Sequence, residues 1–224
     1  MYMNQDSGNV LFPVFFKLHQ LDLLIVGGGY VGLEKLTAVL RSSPKANVTL
    51  VAKEILQEEI RTLAKDHPNV KLIERPFKKK DLKGRDLVIL ATDSKKLHQK
   101  IKEKAKKKHI LTNVADTPDL CDFYLCSIVK KGDLKIGVSS NGKSPTLTKR
   151  IKETLNDALP EEIDEMLDRL KEIRDQLKGD FEYKVQKLDE VTKDFMVQDQ
   201  APKETEQAEK VIFKKKLVRK GLRK

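Results

Sequence analysis

Apolar residues along this chain come in short blocks, and the spacing within a block alternates between continuous and every third or fourth position. Leu21-Asp22-Leu23-Leu24-Ile25-Val26 is a continuous run ending in Gly27-Gly28-Gly29, the pattern of a buried parallel strand that runs into a tight turn. From Tyr30 to Leu40 the apolar positions Val31, Leu36, Val39 and Leu40 fall at helical spacing. The alternation then repeats. Val48–Ala52 predicts a strand, Ile55–Lys65 a helix, Val70–Ile73 a short strand and Asp86–Thr92 a further buried strand. Lys95–Lys108 predicts a helix and His109–Val114 a closing strand. Strands alternating with helices at this interval predict an α/β fold with an open, mostly parallel sheet.

After Asp116 the pattern changes. Phe123–Val129 and Leu134–Ser139 are strand-like and are joined by Lys130-Lys131-Gly132-Asp133, which predicts an antiparallel hairpin. Ser140–Pro145 reads as a loop, and Thr146 begins a helix carrying Leu147, Ile151 and Leu155. Beyond Pro160, the residues Ile163, Met166, Leu167, Leu170, Ile173, Leu177, Phe181, Val185 and Leu188 step by three and four, with Gly179 as a break, so amphipathic helices follow. From Val197 the sequence turns polar and charged. The expected organisation is a Rossmann-like dinucleotide-binding domain over 1–115, a small β-hairpin and loop region over 116–148, a helical domain over 149–197 and a basic, flexible tail over 198–224.

Composition narrows the class. With 39% hydrophobic and 35% charged residues the chain is globular, and no apolar run approaches the roughly 18 residues of a spanning helix. The first residues lack the basic region and apolar stretch of a secretion signal, and Cys121 and Cys126 are expected to be free thiols in a reducing cytoplasm. The net charge is +11, but residues 210–224 hold eight cations and no acid, which leaves +3 for the preceding 209 residues. The basic character therefore belongs mainly to a tail, whose role composition does not specify. A second basic stretch, Lys95–Lys108, has eight Lys and one Glu, with Leu97, Ile101 and Ala105 along one side, as expected of a solvated helix face.

Two groups of residues carry candidate chemistry. Gly27-x-Gly29-x-x-Gly32 directly follows a strand and opens a helix. In that context the first glycine permits the turn, the second lets backbone approach a pyrophosphate, and the third allows close helix–strand packing. The phosphates would then lie at the positive end of the helix. Gly27, Gly28, Gly29, Tyr30, Val31 and Gly32 are the candidate phosphate-side residues, with Ala91 and Thr92 at the end of a neighbouring strand. The acid that usually ends the second strand is absent; Ala52 and Lys53 stand there, with Glu54 one step late. Lys53 suits a 2′-phosphate, and a backbone contact at Ala52-Lys53 suits either nicotinamide dinucleotide, so residue types leave NAD and NADP open. The second group is Asn113-Val114-Ala115-Asp116-Thr117-Pro118, at the carboxyl end of a late strand, where ligands sit in doubly wound sheets. A carboxylate there can take a proton or stabilise developing positive charge, although Asx-Pro neighbourhoods also make ordinary turns. Two cysteines with four residues between them lack further ligands for a closed zinc site, and the four histidines are scattered, so no resident metal is expected.

Taken together, GGGYVGLEK from Gly27 to Lys35, Ala91-Thr92-Asp93, Asn113-Val114-Ala115-Asp116 and Ser139-Ser140-Asn141-Gly142-Lys143-Ser144-Pro145, preceded by Phe12-Pro13-Val14-Phe15, resemble the precorrin-2 dehydrogenase/sirohydrochlorin ferrochelatase family, the amino-terminal part of sirohaem synthase. The resemblance covers roughly residues 10–160. It implies NAD-dependent oxidation of precorrin-2 to sirohydrochlorin and, in some members, insertion of Fe²⁺ to give sirohaem; the residues leave the second activity open. It further implies a homodimer, Asp116 as the central catalytic group, and Asn113, Ser139, Ser140, Gly142, Lys143 and Ser144 lining the tetrapyrrole site. The chain departs from the family pattern at Asn141, where glycine is commoner, at Cys126, where proline is frequent, and at Leu97-His98, where Leu/Val-Asn is usual. No methyltransferase domain is expected beyond Lys224, and with it a stand-alone enzyme supplied with precorrin-2 by another protein is expected. A dinucleotide sensor without chemistry would need neither Asp116 nor the Ser139–Pro145 loop. The near-neutral body without an aromatic platform argues against a nucleic-acid partner.

Overall fold

The computed structural model describes residues 9–177, 179 and 181–192, so the tail expected over 198–224 lies outside the described residues. These residues form two compact units that divide between Pro160 and Glu161. The first unit is built on β1 (Asp22–Val26), α1 (Tyr30–Ser42), β2 (Asn47–Ala52), α2 (Glu58–Asp66), β3 (Val70–Glu74), β4 (Leu87–Leu90), α3 (Lys95–Lys106) and β5 (Leu111–Val114). It continues with β6 (Ser127–Lys131), β7 (Leu134–Val138) and α4 (Pro145–Ala158). The helix α4 carries Leu147, Ile151 and Leu155, as the apolar spacing from Thr146 predicted.

The five parallel strands lie in the order β3-β2-β1-β4-β5. Continuous apolar runs are what a sheet covered on both faces requires, and β1 and β4 show why. Leu23, Ile25, Leu87 and Ile89 face one layer with Leu36, Val39 and Leu40 of α1 and Ile60 of α2. Leu24, Val26, Val88 and Leu90 face the other, with Ile101 and Ala105 of α3 and with Leu82 from a short 3₁₀ turn over Lys79–Leu82. Strand succession reverses between β1 and β4, so the crevice of a doubly wound sheet opens at the carboxyl ends of those two strands.

Several boundaries differ from expectation, each for a local reason. The second helix begins at Glu58 and not at Ile55, because the Ile55 N–H donates to the Glu74 carboxylate at 2.9 Å and the Leu56 N–H to the Gly28 carbonyl at 2.9 Å. Residues 53–57 are thereby drawn against the glycine turn. The closing strand begins at Leu111 and not at His109, which takes a left-handed φ of +57° to end α3 while the Ile110 N–H returns to the Ala105 carbonyl at 3.0 Å. Phe123–Cys126 precedes β6 without pairing, and a 3₁₀ turn over Pro118–Leu120 was not foreseen. The hairpin closes through Gly132-Asp133, with Lys131 opposite Leu134 and Gly132 at φ +52°. The Lys135 Nζ donates to the Ser42 carbonyl at 2.7 Å, placing a cation on the last turn of α1.

The second unit pairs α5 (Ile163–Gln176) with α6 (Phe181–Thr192). Its expected apolar positions are only partly covered within the chain. Ile163 is buried, Met166, Leu167, Leu170 and Ile173 are half-buried, and Val185 is exposed.

Leu36 is fully buried under the sheet. Leu36→Ala should lower unfolding free energy by about 2–5 kcal/mol, from lost transfer energy and the cavity left behind. Urea unfolding of parent and variant with an unchanged m-value would show it.

Candidate functional site

The glycine turn is fixed by backbone crowding. Gly27 has φ +134°, and a Cβ there would lie 2.1 Å from the Ala91 carbonyl oxygen. A Cβ on Gly28 would lie 2.5 Å from the Glu54 carbonyl oxygen and 2.7 Å from the Ala52 Cβ, and one on Gly32 would lie 2.3 Å from the Gly27 carbonyl oxygen. Only Gly29 faces open space, with nothing within 4 Å of its Cβ position. Three glycines therefore let the ends of β1, β2 and β4 and the first turn of α1 close on one another, while the fourth leaves the approach free. Gly29 caps α1 with an extended backbone and no side-chain hydrogen bond, and the first turn carries no acid. The amides at this helix end keep their capacity for an anion. A pyrophosphate fits this cradle.

The walls of the crevice follow from the same packing. Ala52 is buried and Lys53 exposed at the end of β2. Behind them Glu74 accepts from the Ile55 N–H and, at 3.0 and 2.8 Å, from the Arg61 Nη2. The Arg61 hydrogen bond, helped by the Ile55 amide, holds the Glu74 carboxyl below the usual carboxylate range. Glu74 thus pins the 53–57 segment; an acid closing a strand beside the expected ribose position was its only sequence signal. Ala91 is buried and its N–H donates to the Val26 carbonyl at 2.8 Å, so Ala91 and Thr92 form the wall opposite.

At the end of β5 Asp116 is solvent-exposed, with a left-handed φ of +56°. Aspartate tolerates that region better than most residues, yet such a conformation is still a local cost. The residues around it hold the strand end. Cys121 is half-buried, and its Sγ lies 3.2 Å from the Val114 amide nitrogen, which donates to it, and 3.3 Å from the Val114 carbonyl oxygen. Burial pushes the Cys121 thiol pKa up, which suits a neutral thiol donating to that carbonyl. Asp122 accepts from the Thr112 N–H at 2.8 Å and from the Lys102 ammonium. Asn113 is buried, and its Nδ2 donates to the Phe123 carbonyl at 2.9 Å, so its amide is committed to holding the 121–123 segment.

The Ser139–Ser144 loop belongs to the connection between β7 and α4. Its hydroxyl oxygens accept from backbone: Ser139 from the Asn141 N–H, Ser140 from the Ser144 N–H at 3.0 Å, and Ser144 from the Leu147 N–H as the cap of α4. Asn141 and Gly142 are both left-handed, at φ +53° and +75°. Each serine keeps its O–H for donation, and Lys143 is exposed. The structure therefore gathers Gly27–Gly32, Ala52-Lys53, Ala91-Thr92 and Asp116 along the carboxyl edge of one sheet, and sets the serine loop on the hairpin unit. A groove of about 540 Å³ runs between α1 and the β6/α4 pair, lined by Tyr30, Arg41, Cys126, Lys130, Lys152 and Asn156 among others. Neither Asp116 nor Ser139–Ser144 lines it. Among the described residues no three His, Cys, Asp or Glu side chains are placed to hold a metal ion, and no helix is long and apolar enough to cross a membrane.

A doubly wound sheet with a glycine cradle at its strand reversal defines the dinucleotide-binding class of α/β proteins. Comparison with known proteins narrows the class. Residues 14–127 match the family described as "Putative NAD(P)-binding", and residues 131–158 match "Sirohaem biosynthesis protein central". The chain belongs to this NAD(P)-binding family, in the form found at the amino-terminal part of siroheme synthases. It is 38% identical over 168 residues to the siroheme synthase of Psychrobacter sp. (strain PRwf-1), covering 75% of this chain and 34% of that one. It is 35% identical over 171 residues to the siroheme synthase of Vesicomyosocius okutanii, covering 75% and 35%. The chain thus spans about a third of the length of the curated relatives it matches. Among solved structures, "SirC, precorrin-2 dehydrogenase" superposes with a TM-score of 0.64 at 25% identity, over 85% of this chain and 91% of that one.

Because the Gly29 Cβ position is open, Gly29→Asp should fold normally and yet place a side chain and negative charge where a pyrophosphate must come. Unchanged thermal unfolding with loss of detectable NAD and NADP binding by calorimetry is expected. Parental affinity in the folded variant would refute the phosphate-cradle assignment.

Proposed function

We propose that this protein is a precorrin-2 dehydrogenase that uses NAD to form sirohydrochlorin, within sirohaem biosynthesis. The observation that carries the reading is Asp116: an exposed carboxylate, held in a left-handed conformation, on the same sheet edge as the glycine cradle. The siroheme synthase relatives and the likeness to SirC, which covers nearly all of that shorter protein, support the same reaction.

Gly27, Gly28, Gly29 and Gly32, with the amides of Tyr30 and Val31, would hold the cofactor's pyrophosphate. Ala52-Lys53 and Ala91-Thr92 would flank its two ends. The nicotinamide ring, when bound, supplies the hydride acceptor. Oxidation of precorrin-2 removes a hydride and a proton. Loss of the hydride leaves positive charge on the macrocycle, which the Asp116 carboxylate stabilises before it accepts the proton. Asn113 contributes by fixing the strand end that carries Asp116. The hydroxyls of Ser139, Ser140 and Ser144, the backbone at Gly142 and the ammonium of Lys143 offer donors and charge suited to the carboxylates of precorrin-2 and sirohydrochlorin. The same Asp116 carboxylate would take pyrrole protons if Fe²⁺ enters sirohydrochlorin as a substrate, which makes ferrochelation a second activity of one site.

We read the active form as a homodimer in the cytoplasm. Val10, Phe12, Val14 and Phe15 are 87%, 85%, 54% and 68% exposed ahead of β1, and Leu147 and Ile151 are exposed on α4. That much uncovered apolar surface favours association with a second copy.

Asp116→Asn preserves size and the left-handed conformation, which Asn also accepts readily. It should leave NAD affinity near parental and lower dehydrogenation about 100-fold or more, the scale of losing a general base. Anaerobic formation of sirohydrochlorin from precorrin-2 gives the rate, and addition of ferrous iron then reads any chelation, which should fall in parallel. A variant turning over at the parental rate would leave Asp116 only a turn residue. Deletion of 210–224 removes eight cations and none of the groups assigned above. Turnover within about twofold of parent is expected in the same assay, since the tail carries no residue of the cradle or strand edge.

A further inference from the structure

His98 of α3 is 3% exposed, and its ring has one occupied nitrogen and one empty one. Nε2 accepts from the Thr92 N–H at 3.3 Å and lies 2.9 Å from the Thr92 Oγ1. Nδ1 has no hydrogen-bond partner. A backbone N–H can only donate, so Nε2 must carry the lone pair, and the ring proton sits on the unpartnered Nδ1. A buried unpaired donor is destabilising, and an apolar side chain of similar size would fill this place without that loss. What Nε2 does must therefore be weighed against what Nδ1 costs.

Nε2 closes a small network. The Thr92 Oγ1 also accepts from the Ser94 N–H at 3.4 Å, the Ser94 Oγ caps α3 by accepting from the Leu97 N–H, and the His98 N–H donates to the Ser94 carbonyl at 3.0 Å. The imidazole thus ties residues 92–94 to the first turn of α3. One residue earlier, the Ala91 carbonyl is what crowds Gly27.

We propose that His98 is a positioning residue for cofactor binding: by accepting from Thr92, its imidazole fixes the Ala91–Asp93 loop as the wall of the dinucleotide crevice. The inference rests on the reading of that crevice as the NAD site. Burial lowers the His98 pKa, against an opposing pull from the Asp93 carboxylate. Of the elements packed against α3, β5 carries no charged side chain and the 3₁₀ turn carries Lys79, Lys80 and Asp81, the last paired with Arg75; on the helix itself Lys102 is paired with Asp122. The neutral, accepting form therefore prevails at neutral pH. Protonation on the acid side of the ordinary imidazole value of about 6.5 would remove the acceptor.

The test measures NAD binding by calorimetry, without turnover, on the full chain and two variants. His98→Leu keeps bulk but strands the Thr92 N–H, and its Kd for NAD should rise roughly tenfold. His98→Gln can present a carbonyl oxygen near the Nε2 position and should bind within about twofold of parent. The parent's affinity should decline as pH falls below 6.5, and the glutamine variant should not share that decline; this comparison stands even if the leucine variant fails to fold. Parental affinity in folded His98→Leu, or identical pH profiles for parent and His98→Gln, would overturn the proposal. A parent that binds no dinucleotide at any pH would overturn the NAD-site reading and the proposal with it.

Discussion

Everything at this site depends on how closely backbone can approach backbone where the strand order reverses. Between β1 and β4 the Ala91 carbonyl stands where a Gly27 side chain would begin, and the same holds for Glu54 against Gly28 and for Gly27 against Gly32. These are not contacts a larger residue could share by adjusting a rotamer, because both partners are main chain. A substitution would separate strands whose registers are fixed along their whole length by parallel pairing. The cradle is consequently a property of the sheet rather than of a loop. It keeps its shape because Leu24, Val26, Val88 and Leu90 hold β1 and β4 together from below.

Charge adds placement to this frame. Glu74 reaches from the end of β3 to the Ile55 amide, and Arg61 neutralises it from α2. Their exposure makes the ion pair itself a minor source of stability. Its effect is geometric, since it sets the path of 53–57 and so the position of Lys53. Asp122 does the same for β5, where one carboxylate receives a backbone amide and a lysine and completes an edge that lacks a further strand.

The fold was largely legible in the sequence because its signals are physically redundant. A buried parallel strand is apolar on both faces, so the β1 and β4 runs admit little else, and the glycines say where β1 ends. The errors fall where specific hydrogen bonds compete with periodicity. Ile55–Gln57 have helical spacing but give two amides to Glu74 and Gly28. His109 has strand neighbours but closes α3 in a left-handed turn, and Phe123–Cys126 is strand-like in composition yet serves as the tether for Asn113. The site was legible only at the level of residue type. Gly29 and Asp116 declare themselves by motif, whereas the partners that fix them, Glu74, Cys121 and Asp122, act across gaps of 7 to 19 residues. No local pattern predicts which amide a carboxylate will find.

Three positions that break local rules bear on the carboxyl ends of β1, β4 and β5. Asp116 holds a left-handed backbone, His98 carries an unpaired buried nitrogen, and α1 begins without a side-chain cap. Each has a cheaper alternative: glycine at 116, leucine at 98, serine or aspartate at 29. Each alternative would also remove something a ligand site requires, namely a carboxylate at the strand end, an acceptor for the loop amide, or open amides at a helix terminus. A fold whose core is otherwise consistent can tolerate a few such costs. At these three positions the local cost and the ligand requirement coincide, which is how the proposed site differs from the other irregular turns of the chain.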